Sequence, residues 1–204
     1  TTGILRPEDQ NPNERYNSGD RIKVYVRQVG LTTKGPEILL SRTADEMVKK
    51  LFEIEIPEIG DGTVSIKSVA REAGSRSKVA VSTEDSSIDP IGACIGQRGS
   101  RIQTIIAELG GEKVDIIEWN KNAVAFISNS LAPAKIARVD VSEEAKVASV
   151  RVVTDQLSLA IGKGGQNVRL AAKLTGYKIN IVENDKEEVV ESAEPAVEMT
   201  PSNS

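Results

Sequence analysis

Histidine is absent from the 204 residues, and cysteine occurs once, at Cys94. Without histidine there is no Ser-His-Asp or Cys-His nucleophile, and the commonest metal ligand is missing. One cysteine supplies neither a closed zinc site nor an internal disulfide framework, and it suits a reducing compartment. Carboxylate chemistry is left, but no pair of acids stands in a recognisable setting. The chain is therefore expected not to be an enzyme and to need no cofactor or metal. Aromatic residues make up 3% of the chain, too few for stacking on rings to dominate any nucleic-acid affinity. No apolar run approaches the roughly 18–20 residues of a membrane span, and with its single cysteine the chain is expected to be cytoplasmic.

What is there is ordinary in bulk, with 39% hydrophobic and 27% charged residues, as in soluble globular domains. The formal net charge of −4 is misleading as a whole. From Glu183 onward lie seven of the 30 acids (Glu183, Asp185, Glu187, Glu188, Glu191, Glu194, Glu198) against one of the 26 bases, Lys186. The remaining 23 acids and 25 bases leave residues 1–182 slightly positive. Binding to nucleic acid needs a local basic face, so this balance permits it without arguing for it. The tail from about Asn184 has no sustained apolar period and is expected to be disordered.

At the start, "GDRIKVYV" (Gly19–Val26) alternates apolar and polar residues and reads as a half-buried strand. "PEILLSR" and "TGILR" are further short strands, and Thr32 to Gly35 makes a hairpin-like turn. So few strands do not make a barrel or sandwich, and this region is expected to be the back half of a β domain. From Thr43 the period changes to helical: Thr43 with Glu46 is the expected capping box, and Met47, Val48, Leu51 and Phe52 form one apolar face. Two strands follow, "GTVSIKSVARE" and "KVAVSTE", then an apolar stretch from Ile91 to Ile95, the loop "GQRG", the helix "SRIQTIIAEL" and the strand "KVDIIEW".

The order then recurs as "NAVAFISNSL", "KIARVDV", "KVASVRVV", "DQLSLAI", "GKGG", "QNVRLAAKL" and "YKINIVE". The offset is 66 from Asp89 to Asp155, Ile95 to Ile161, Gly96 to Gly162 and Gly99 to Gly165, and 65 from Lys113 to Lys178. This is an internal repeat of a helix–strand–strand–helix–loop–helix–strand unit. Only Asn120 to Asn122 joins the copies, too short a link to be a flexible tether, so the units are expected to dock as one body. Cys94 is expected to be a small buried hydrophobe, and Trp119 to pack between the units.

Gly-x-x-Gly at a helix start has a physical use. Glycines take unusual dihedrals and let another backbone approach closely. The helix beyond offers free N–H groups and the positive end of its dipole to an anion. Arg98 in one loop and Lys163 in the other add charge against phosphates. "GKGGQN" lacks the GxxxxGK[ST] spacing of a nucleoside-triphosphate loop, and there is no GxGxxG after a strand. A sugar–phosphate backbone suits these loops better than a metal or a small apolar ligand.

Helix, Gly-x-x-Gly, helix and a three-stranded sheet resemble the KH family, whose loop clamps about four nucleotides of single strand. Helix and strands before the loop resemble the type II, prokaryotic arrangement. "SRTADEMVKKLFEIEIPEI", "DGTVSIKSVAREAGSRSKVAV", "DPIGACIGQRGSRIQTIIAELGGEKVDIIEW" and "DQLSLAIGKGGQNVRLAAKLTGYKI" resemble the bacterial NusA family of transcription elongation and termination factors, from about Gly19 to Glu183. The resemblance implies an α+β chain: residues 1–42 as the C-terminal part of an OB-type RNA-binding barrel, 43–119 and 120–183 as tandem type II KH domains, and 184–204 as the acidic tail. It implies action in pausing, termination and antitermination, with single-stranded nascent RNA as partner. RNA polymerase would be a partner in a full-length parent, and antitermination proteins further partners. The chain is expected to be a monomer that does not bind membranes. Gly96, Gln97, Arg98, Gly99, Ser100 and Arg101 match the first clamp, and Gly162, Lys163, Gly164, Gly165, Gln166 and Asn167 the second. Ile95, Ile102, Ile161 and Val168 are expected either to floor a groove for the bases or simply to pack in the core. The rival expectation is a protein-interaction scaffold without RNA, docking on polymerase or on ribosomal or antitermination proteins. The base kept in each loop favours RNA.

Overall fold

The computed structural model describes residues 2–183; the acidic tail, expected to be disordered, lies outside them. At the N-terminus β1 (Gly3–Leu5), β2 (Tyr25–Thr32) and β3 (Gly35–Ser41) form an open sheet in the order β1-β3-β2, turning at Thr33-Lys34. No barrel closes among the described residues. Val29 and Leu31 stay 68% and 86% exposed.

One expectation fails in position: β2 starts at Tyr25, not Gly19. The hairpin register pairs Tyr25 with Ser41, the last residue of β3, so the residues before Tyr25 run past the end of their partner. They are fixed by other means. Arg42 is 4% exposed and donates to Lys23 O, to Glu14 and to Glu108 O, while Asn11 Nδ2 donates to Leu109 O. The N-terminal segment thus leans on the first repeat unit.

That unit comprises α1 (Asp45–Glu55), α2 (Pro57–Gly60), β4 (Val64–Glu72), β5 (Arg76–Thr83), α3 (Pro90–Ile95), α4 (Ser100–Glu108) and β6 (Lys113–Glu118). The capping box at Thr43 is not formed. Ala44 is the N-cap of α1 without a side-chain cap, and Ser41 Oγ accepts from the N–H groups of Thr43 and Ala44 instead. The apolar face was read correctly: Met47, Val48, Leu51 and Phe52 are all buried, against Val79, Val81, Cys94, Ile105 and Leu109. Burial pushes the Cys94 thiol up to about 12. The turn after β4 is tied inward by a buried ion pair, in which Arg71 meets Glu112 at 2.9 Å and Gly74 N donates to the same carboxylate at 2.8 Å.

The second unit repeats the pattern: α5 (Ala123–Ser130), β7 (Arg138–Ser142), β8 (Val147–Val152), α6 (Thr154–Ile161), α7 (Gln166–Thr175) and β9 (Lys178–Glu183). Both sheets have an antiparallel first pair and a parallel second pair, in the orders β4-β5-β6 and β7-β8-β9. Asn122 caps α5, its side chain accepting from Ala125 N.

The units are stacked, not merely strung together. Ala70, Ala80 and Ile117, on the outer face of the first sheet, pack against Phe126, Leu170 and Leu174 of the second unit, with Trp119 half-buried beside them. Trp119 and Phe126 lie 6.4 Å apart, so this aromatic serves the inter-unit packing. Burial on both faces also explains Lys78, which is 0% exposed. Its ammonium reaches Asp115 and Ala132 O at 3.3 Å, and desolvation holds its pKa below the usual lysine range. On the second sheet the register puts Asp140, Arg151 and Val182 where the first has Ala70, Ala80 and Ile117. Asp140 and Arg151 are 42% and 49% exposed and pair with each other.

Candidate nucleic-acid interface

The two Gly-x-x-Gly segments adopt one conformation twice. Gly96 has φ 72°, ψ 174° and Gly162 φ 76°, ψ 168°, a region essentially reserved for glycine. A side chain there would also collide. A Cβ on Gly96 would stand 2.7 Å from Arg101 Cγ, and one on Gly162 2.7 Å from Asn167 Cβ and 2.8 Å from its backbone N. The chain then makes one tight turn, closed by Gly99 N to Gly96 O and by Gly165 N to Gly162 O, each 3.1 Å. Gly99 and Gly165 are left-handed N-caps of α4 and α7, and neither helix has a side-chain cap. The first N–H of each helix closes back on its loop, Ser100 N to Gln97 O and Gln166 N to Lys163 O, and the N–H groups that follow have no side-chain cap. A glycine turn into a helix start without a side-chain cap is a cradle chemically suited to an anion.

The expected site residues divide in two. Gln97, Arg98, Ser100, Lys163 and Gly164 are exposed at the cradles. Arg98 holds φ 53°, which for a residue with a Cβ is unusual. The others turn inward. Arg101 donates to Glu58 at 2.8 Å and to Ala93 O at 2.7 Å, bracing the helix before the loop. Asn167 is 5% exposed and its Nδ2 donates to Leu131 O, Leu159 O and Ala160 O. Gln166 donates across the unit boundary to Glu72 at 2.9 Å and Ser75 at 2.7 Å.

Beside the first cradle runs a groove between α4 and the edge strand β6, lined by Ile95, Ile102, Ile106, Val114 and Ile116 and bounded by Ala132 and Pro133 of the second unit. Ile95 is 38% exposed and Ile102 8%, so one floors the groove while the other also packs in the core. In the second unit Ile161 is 37% exposed, and Val168 packs half-buried on its core. The sequence reading named the loop and one flanking apolar residue on each side. It missed Gln103, Ile106, Val114 and Ile116 of the groove lining, which at the repeat offset fall on Arg169, Ala172, Ile179 and Ile181. The helical spacing from Ile102 to Ile106 and the repeat offset were the signals that could have found them. Among the described residues, no group of three or more His, Cys, Asp or Glu side chains is placed to hold a metal ion, and no helix is long and apolar enough to cross a membrane.

Comparison with known proteins agrees with this geometry. Residues 42–119 match the NusA-like first KH domain family and residues 123–189 the NusA-like second KH domain family. Curated relatives named "Transcription termination/antitermination protein NusA" include those of Bacillus subtilis, 57% identical over 87% of this chain and 48% of the relative, and of Halalkalibacterium halodurans, 56% identical over 87% and 47%. The one from Thermus thermophilus is 51% identical over 95% of this chain and 50% of its own length. The chain thus spans about half the length of these relatives. With both KH matches in tandem order and relatives of more than 50% identity along most of its length, the chain belongs to the NusA family.

Proposed function

We propose that this chain is the tandem KH, RNA-binding part of a bacterial transcription factor acting in pausing, termination and antitermination. It divides at about residues 42, 119 and 183, and it clamps one single strand of RNA across both loops. The observation that carries the reading is the pair of matching loops, each leading into a helix start without a side-chain cap and carrying a base, held in fixed relation by the packed inter-unit face. In the first loop Gly96 and Gly99 admit the backbone, while Gln97, Arg98 and Ser100 meet phosphate. In the second, Lys163, Gly164 and Gly165 do the same. Arg101, Gln166 and Asn167 act behind the surface, holding the loops in shape. Bases lie against Ile95, Ile102 and Ile161. No catalytic step or cofactor is involved, the chain works as a cytoplasmic monomer, and polymerase and antitermination proteins are partners of the full-length factor.

The test is to place carboxylates where phosphates must lie. Gln97→Asp with Arg98→Asp, and Lys163→Asp with Gly164→Asp, change exposed positions. The three non-glycine changes should cost stability within about 0.5 kcal/mol. Single-stranded RNA should bind each double variant more weakly and with a shallower salt dependence, and the fourfold variant weakest of all. If all fold normally and bind RNA like the parent, the protein-scaffold reading replaces this one.

A further inference from the structure

Charge is placed differently at the two loops. The first carries its own guanidinium, on Arg98. The equivalent residue of the second loop is Gly164, which has no side chain. Instead α7 has Arg169 one turn in, where α4 has Gln103. Arg169 folds back over its loop: Nη1 donates to Gly164 O at 3.1 Å and stands 3.8 Å from the place of a Cβ on Gly165. The guanidinium therefore sits beside a helix N-terminus that no side chain caps, with its own side chain 49% exposed.

It is not left to itself there. Nε donates to Glu72 Oε1 at 2.6 Å, and the other Glu72 oxygen accepts from Gln166 Nε2 at 2.9 Å. Glu72 belongs to the first unit, at the end of β4. Arg169 and Gln166 together hold its carboxyl below the usual range, so it is ionised at neutral pH. Of the five N–H donors of a guanidinium, those not directed at Glu72 and Gly164 have no partner among the described residues.

We propose that Arg169 is a further phosphate-binding residue of the second loop, and that Glu72 restrains it from the first unit by partly neutralising it. The inference rests on the RNA-clamp reading above. A carboxylate within hydrogen-bond reach of that cation competes with phosphate for it and repels phosphate directly, an effect strongest at low salt. The first unit thereby sets how tightly the second loop holds RNA.

The experiment titrates the parent, Glu72→Gln, Arg169→Gln and the double variant against mixed-sequence single-stranded RNA of about 12 nucleotides, enough for two clamps and a link. Glu72→Gln should bind about threefold tighter at low salt, the scale of one partly exposed ion pair. Its log–log salt slope should be steeper by roughly one contact. Arg169→Gln, which copies Gln103, should bind more weakly with a shallower slope, and the gain from Glu72→Gln should shrink in that background. Thermal melts close to the parent's show that each variant folds. A Glu72→Gln chain that binds no tighter, or a gain undiminished without Arg169, overturns the proposal and leaves the clamp intact. A parent insensitive to the double-Asp loop changes fails the clamp itself, and this proposal with it.

Discussion

Gly96 and Gly162 share their dihedrals, but not the consequence of losing them. A methyl at position 96 meets Arg101 Cγ, which can shift only by giving up its ties to Glu58 and Ala93 O. At position 162 it meets the backbone nitrogen of Asn167, which has no rotamer to change. Both changes incur the strain of a glycine-only conformation, about 1–3 kcal/mol. Gly162→Ala should therefore destabilise more than Gly96→Ala, by roughly 1 kcal/mol in urea titrations; equal losses would mean that the Asn167 backbone gives way. Arg98 and Gly164 form a second unequal pair, since the same left-handed backbone is strained for the arginine and free for the glycine. That an arginine is kept at a strained position agrees with its guanidinium being used, as the clamp reading requires.

Among the elements, α7 does the most. One face closes the core of its own unit through Ala171, and another presses Leu170 and Leu174 onto the first sheet. Leu170→Ala should cost about 2–5 kcal/mol, because its cavity opens where two units meet and neither can collapse into it alone. Hydrogen exchange should show the loss on β4 and β5 as well as on α7; loss confined to the second unit would contradict the shared face. This dual duty also explains what could be read from the sequence. The loops, the helices around them and the order of strands were legible because they depend on local spacing, repeated 66 residues apart. The tasks of Arg101, Gln166 and Asn167 were not, since their partners Glu58, Glu72 and Leu131 lie 43, 94 and 36 residues away. The cap of α1 was misplaced for a local reason: Ser41, at the end of a strand, accepts from the N–H groups of Thr43 and Ala44, so the helix starts one residue later with Ala44 as its N-cap. The start of β2 depended on where its partner strand stopped, which alternation alone does not tell.

At the scale of the whole molecule, the first unit offers a sheet face and the second a helix face, so among the described residues the second sheet face and the first helix face are left without a KH partner. Both are blunt. On the second sheet Asp140 and Arg151 occupy the places of Ala70 and Ala80. On α4, Thr104 and Glu108 occupy the places of Leu170 and Leu174, and Glu108 is further engaged by Lys23 at 3.3 Å. In the language of polymers, the described residues are two repeats whose outward tips are both polar. A head-to-tail contact between copies would bury unmatched charge at one tip and polar groups at the other. Restoring one tip, through Asp140→Ala with Arg151→Ala, should leave sedimentation unchanged, because the complementary tip stays closed. Opening the other as well, through Thr104→Leu with Glu108→Leu, should yield species that lengthen with concentration and have no closed size, as heterologous contacts do. A fourfold variant that sediments as a single small species would show that charge is not what terminates the stack.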